Sequence, residues 1–163
     1  MKIKKQALLY DIANLAFVIA DTGNTGNHGL HRVTDICEDG NRDRVARMLG
    51  MAYAAVLAVL APIAEPPALS PDHDYTRRLH DYEIRFRKHC GGGGEKVLSP
   101  AKKLRIKTLA HEYMVCATLA DWLAFTFPEA APVWKEKARG CLEALAETVA
   151  FTVTSFRRRV SPI

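Results

Sequence analysis

Ten lysines and arginines fall between Arg77 and Lys107, opposed over the same stretch only by Asp81, Glu83 and Glu95. The whole chain carries +5, so outside this stretch the acidic residues are in excess. A cationic concentration of this kind attracts phosphates or an acidic protein surface. Arg85, Arg87, Lys88, Lys102, Lys103, Arg105 and Lys107 are therefore the candidate residues for binding an anionic partner. The last four crowd the opening turns of a helix, where the dipole is already positive and each cation costs about 0.3–1 kcal/mol. Local stability does not ask for them. The run Gly91 to Gly94 lies beside them and suits no regular element, so the segment reads as a flexible basic arm. The competing reading is a solvated face neutralised by carboxylates from elsewhere.

Other groups could do chemistry but do not form a pattern that does. His28, His31, Asp35 and Cys37 gather metal-capable side chains within ten residues, yet their spacing matches no established ligand set. Asp72, His73, Asp74, His80 and Asp81 form a second cluster. If helical, its two histidines stand two turns apart, too far for one ion. His111-Glu112 starts an H-E-x-x-H pattern that Val115 breaks. His111 and Cys116 lie about 140° apart around a helix, which rules out a thiol-imidazole pair at this spacing. Cys90, next to His89 and basic residues, is the thiol expected to be exposed and acidified. No base or oxyanion donor can be named beside it. The four glycines lack the G-x-x-x-x-G-K-[ST] pattern of a phosphate loop. The sequence thus predicts no catalytic residues, no metal and no cofactor.

The elements that must position the basic residues are helical. Ser99-Pro100 supplies an N-cap and a first helical residue, and Leu109, Tyr113, Cys116, Ala120, Leu123 and Phe127 recur at threes and fours behind them. Phe127-Pro128 ends that helix. Pro132 begins the next, with Trp134, Ala138, Cys141, Leu145, Val149, Thr152 and Phe156 on one stripe, and the short turn between them predicts an antiparallel pair. Trp122, Phe125, Phe127 and Trp134 gather at that turn as a capping layer of the core. A first helix is expected over 3–20 on Leu8, Ile12, Leu15 and Ile19, and a surface loop from Thr22 to Gly40. A second helix runs from Asn41 to about Pro62. From Met48 to Ala64 it has no charge, so it must be covered on more than one side, by other helices or by a neighbouring subunit. Its alanine richness and Pro62 argue against a membrane span. Tyr82, Ile84 and Phe86 alternate with charged residues at period two, which predicts a strand pairing back onto 96–98 as a basic hairpin over 79–98.

Length and composition suit a single domain over 1–163, with 48% hydrophobic and 25% charged residues. The fold expected is all-α: a four-helix bundle with a basic β-hairpin or irregular arm between its second and third helices. Four cysteines without paired spacing read as reduced thiols of a cytoplasmic protein. Asp11 and Asn14 interrupt the N-terminal apolar run, so no export signal is expected.

The segments Ala110-His111-Glu112-Tyr113 and Leu119-Ala120-Asp121-Trp122-Leu123, a proline-containing turn, and Trp134-Lys135-Glu136-Lys137-Ala138 together resemble small helical proteins encoded among the virion-assembly genes of bacterial prophages. In those proteins too a short strand precedes the His-Glu-Tyr helix. The resemblance spans about residues 79–140. It implies a non-catalytic structural or connector-type subunit that forms homo-oligomers, cytoplasmic or assembled in a phage particle. The alternative is a nucleic-acid-binding helical module using residues 77–107.

Overall fold

The computed structural model describes residues 1–23, 31–65, 81–87 and 98–158. Its elements in chain order are β1 (Lys2–Ile3), α1 (Lys5–Gly23), α2 (His31–Thr34), two 3-10 turns (Asp35–Cys37 and Asp39–Asn41), α3 (Arg42–Leu60), β2 (Tyr82–Glu83), α4 (Pro100–Thr126) and α5 (Ala131–Arg158). The all-α class expected from the sequence is observed. No helix among the described residues is long and apolar enough to cross a membrane.

Helix α4 touches each of the other three long helices, α1, α3 and α5. Its start is written locally. The Ser99 hydroxyl accepts a hydrogen bond from the Lys102 backbone N–H at 3.3 Å, and Pro100 takes the first helical position. A cap of this kind contributes about 1 kcal/mol. Because three helices surround α4, its buried set is wider than the single expected stripe. Ile106, Ala110, Met114 and Leu119 are fully buried, whereas Leu109 and Tyr113 are only half-buried. On α5 the expected stripe holds at Ala138, Leu145, Val149 and Thr152; the Phe156 side chain lies outside the described residues.

One buried polar group on α4 has no counterpart. Thr118 is fully buried and its Oγ1 has no hydrogen-bond partner, while Thr152, equally buried on α5, donates to the Thr148 carbonyl at 2.8 Å. An orphaned buried hydroxyl costs about 1–3 kcal/mol. Thr118→Val keeps the shape and removes the hydroxyl, so the variant is expected to gain about 1 kcal/mol of unfolding free energy. Urea denaturation monitored by circular dichroism measures this, and a loss of stability would show that the hydroxyl is in fact satisfied.

The structure corrects four expectations. Helix α1 begins at Lys5 rather than residue 3, because residues 2–3 are drawn into β1. The loop expected over 22–40 ends in helical turns. Residues 24–30 lie outside the described residues, but Val33 and Ile36 are buried in the core, so apolar burial organises the second half. Helix α3 is not covered all round: Val45, Leu49, Val56 and Leu60 are buried, and Met51 is 63% exposed.

The fourth correction concerns the strand. Residues 82–87 pair with the N-terminus and the end of α3; of the expected partner 96–98, Lys96 and Val97 lie outside the described residues. Ile3 pairs with Tyr82, and Ile84 exchanges backbone hydrogen bonds with Met1, at 2.8 Å from its N–H and 2.6 Å to its carbonyl. On the opposite edge, Glu65 N–H donates to the Arg85 carbonyl and Arg87 N–H to the Ile63 carbonyl, flanking a bridge between Ala64 and Phe86. Alternate residues of a strand face opposite edges, so both edges of 82–87 are occupied. Tyr53 fastens the strand to α3, donating from its hydroxyl to the Glu83 carbonyl at 2.6 Å and lying 4.8 Å from the Tyr82 ring.

Candidate functional site

The strand geometry determines what becomes of the basic residues. Arg85 is exposed and pairs with Glu83 at 3.2 Å, an i,i+2 pair on one face of the strand. The Arg87 Nε donates to the Ala64 carbonyl at 2.8 Å, so part of its guanidinium is spent on closing the sheet edge. Lys88 lies outside the described residues. On α4, Lys102 and Lys103 are half-buried, flanking the direction in which Ile106 enters the core, while Arg105 and Lys107 are exposed. Two residues apart, Arg105 and Lys107 project about 160° from each other around the helix. The four α4 cations therefore spread around the start of the helix instead of forming one face. Lys103 and Lys107, one turn apart, share a side.

Of the metal-capable groups, His28, His73, His80 and Cys90 lie outside the described residues, as do the side chains of His31 and Cys37. Asp35 is half-buried, and its backbone carbonyl accepts from the Asn41 side-chain amide at 2.9 Å. Asn41, where α3 is expected to start, stands at its N-cap position but makes no side-chain cap bond. Its amide instead holds the preceding 3-10 turn.

His111 has a partner that sequence spacing does not reveal. Its Nε2 lies 2.7 Å from Asp11 Oδ2, joining α4 to α1 across 100 residues. The histidine side chain is 20% exposed and the aspartate 44%. A half-exposed pair of this kind contributes about 1 kcal/mol or less. Its larger effect is geometric, since it turns the Asp11 carboxylate toward α4.

A second cross-helix contact lies at the far end of α4. The Arg44 guanidinium sits 4.8 Å from the Phe125 ring centroid and 5.9 Å from that of Trp122. This sets a cation from α3 beside the last turn of α4, the negative end of its dipole. Trp122 is buried and donates from Nε1 to the Val33 carbonyl at 3.0 Å. Phe125, expected in the core layer, is 69% exposed. Trp134 is half-buried, and the Lys137 ammonium lies 4.2 Å from its ring centroid.

Cys116 and Cys141 are free thiols on the paired helices α4 and α5. Burial pushes the Cys116 thiol up to about 11, and Cys141 and Glu112 push the same way against Lys137. Burial, then Glu112, raises Cys141 as well. Both are protonated at neutral pH, which makes Cys116 a small hydrophobe rather than a nucleophile. A pH dependence follows. In the unfolded chain the thiol ionises near its ordinary value of about 8.5, so between there and about 11 the unfolded state holds fewer protons than the folded one. Stability is then full below the unfolded value and falls as pH rises through the folded one. Urea midpoints measured across this range are expected to decline, and Cys116→Ala is expected to flatten the decline. An unchanged slope in that variant would place the titration elsewhere.

Compared with family models, with curated proteins and with solved structures, the chain shows no match.

Proposed function

We propose that this protein is a non-catalytic assembly or adaptor subunit that self-associates, of the structural or connector kind that its likeness to prophage virion-assembly proteins implies. In this reading the four long helices form a bundle around α4, and the cations of the basic segment, Arg85, Lys102, Lys103, Arg105 and Lys107 among the described residues, meet an acidic partner. The observation that supports it best is on α1, where Tyr10 is 71% and Phe17 64% exposed, two turns apart on one face. Large aromatic side chains left open in this way mark surfaces that other proteins cover.

The test is the molar mass in solution. Light scattering behind size exclusion, over a concentration series, is expected to give a multiple of the 18.1 kDa chain mass that rises with concentration. A constant monomer mass at every concentration would overturn the proposal.

A further inference from the structure

The seam between α4 and α5 brings two thiols to one level. Helix α4 ends at Thr126 and α5 begins at Ala131, so the two helices run back along each other from a short turn. Cys116 stands ten residues before Thr126 and Cys141 ten residues after Ala131. At about 1.5 Å per residue, both are about 15 Å from the turn. The flanking levels match in the same way. Ala120 and Ala138 lie one helical turn nearer the loop, Tyr113 and Leu145 one turn beyond, each pair matched to within one residue. Cys116, Ala120, Ala138 and Leu145 are buried and Cys141 is half-buried, which puts both thiols on the faces that meet. The alanine pair lets the backbones approach closely beside them. Helices packed about 8–10 Å apart, with Cα atoms about 2.3 Å off each axis, bring facing Cα atoms within about 6 Å, a span that a disulfide bridges. After burial, the neighbour that raises the Cys116 thiol most is Cys141, and Glu112 raises both thiols, as groups in one neighbourhood do. Only an ionised neighbour has this effect, so Cys141 loses its proton first. Among the described residues no third metal-capable side chain completes a cluster with them, so the chemistry open to the pair is that of two sulfurs.

We propose that Cys116 and Cys141 are a redox pair, which hydrogen peroxide converts to a disulfide across the α4–α5 seam. Cys141, the less buried thiol, reacts first. Its thiolate attacks one peroxide oxygen, the O–O bond breaks, and the departing hydroxide takes up a proton as water, which leaves Cys141 as a sulfenic acid. The Cys116 thiolate then attacks the Cys141 sulfur. The S–O bond breaks, the S–S bond forms, and a second hydroxide leaves and is protonated to water. Two thiols are thereby oxidised by two electrons, and one peroxide is reduced to two waters. Only thiolates react, so the first step is slow at neutral pH and quickens as pH rises. The second step is intramolecular, and the high effective concentration of a neighbouring thiol offsets its small thiolate fraction. The product ties α4 to α5 well away from their turn and constrains the unfolded chain.

The full chain treated with hydrogen peroxide at mildly alkaline pH, once in buffer and once in denaturing urea, then alkylated, digested and analysed by mass spectrometry, tests this. Cys116 lies 25 residues from Cys141 and 26 from Cys90, so in the unfolded chain the two closures cost nearly the same and both links form. In the folded chain the ratio of the 116–141 link to the 90–116 link is expected to be at least about tenfold higher. Dithiothreitol is expected to reverse the link, and the oxidised chain is expected to unfold at a higher urea concentration than the reduced one. Cys116→Ser removes the resolving thiol, so peroxide is expected to leave Cys141 as a sulfenic acid that dimedone traps. The same ratio in buffer as in urea overturns the proposal. So does a peroxide-treated folded chain in which Cys116 and Cys141 both remain open to alkylation, or a Cys116→Ser chain in which dimedone finds no sulfenic acid at Cys141.

Discussion

Replacing Trp122 with alanine is expected to destabilise the fold by about 3–5 kcal/mol, the range for deleting a buried aromatic. Two elements, α2 and α3, lose a common partner on α4. The indole is 3% exposed, its Nε1 holds the Val33 carbonyl of α2, and its ring lies under Arg44 of α3. The carbonyl would be left without its donor. Trp122→Phe separates these contributions, because it keeps most of the ring and loses the hydrogen bond, and is expected to cost about 1–2 kcal/mol. Urea denaturation by circular dichroism reads both. A cost below about 1 kcal/mol for the alanine variant, outside the range for buried aromatics, would mean that α2 and the start of α3 are not anchored through this side chain.

Ile84→Ala is expected to cost about 2–4 kcal/mol. Ile84 is fully buried, on a segment whose two backbone edges are bound to different parts of the chain. The loss is not purely global. Amide hydrogen exchange at Ile84 and Arg87, which bond to Met1 and Ile63, is expected to accelerate more than exchange in the centre of α4. Ile84→Val, which removes one methyl group, is expected to cost only about 0.5–1.5 kcal/mol. Equal acceleration everywhere in the alanine variant would show that 81–87 opens only with the whole molecule.

The sequence conveyed what is encoded locally. Ser99 and Pro100 mark the start of α4 because a cap is a contact over three residues, and the α5 stripe held because one neighbour, α4, dominates its environment. The α4 stripe was only partly legible for the converse reason. A helix touched from three sides buries residues off any single stripe, as at Val115, Thr118 and Trp122, so its periodicity blurs. The period-two pattern at 82–87 was correctly read as extended chain, but a strand does not say which chain pairs with it. The N-terminus and the end of α3 took the two edges. The Asp11–His111 pair had no sequence signal, since nothing local links positions 100 residues apart. For the basic residues, counting charges gave their number and not their directions. Arg85 and Arg87 proved to be partly engaged at the sheet, and the α4 cations diverge around their helix.

The position of α4 between α1, α3 and α5 also sets the order in which the chain can fold during synthesis. Helix α1 leaves the ribosome first with Leu8, Ile12, Ala16 and Ile19 all destined for burial; α2, one of the elements it packs on, follows closely, but α4, the long helix it packs on, lies about 100 residues downstream. At about 5–20 residues per second, α1 waits roughly 5–20 s for its partner. The α4–α5 pair forms from neighbouring sequence and so closes quickly once made. The last-made half of the molecule is then the template on which the first-made half settles, and during that interval the side of α1 that α4 will cover is open to whatever else the cell offers.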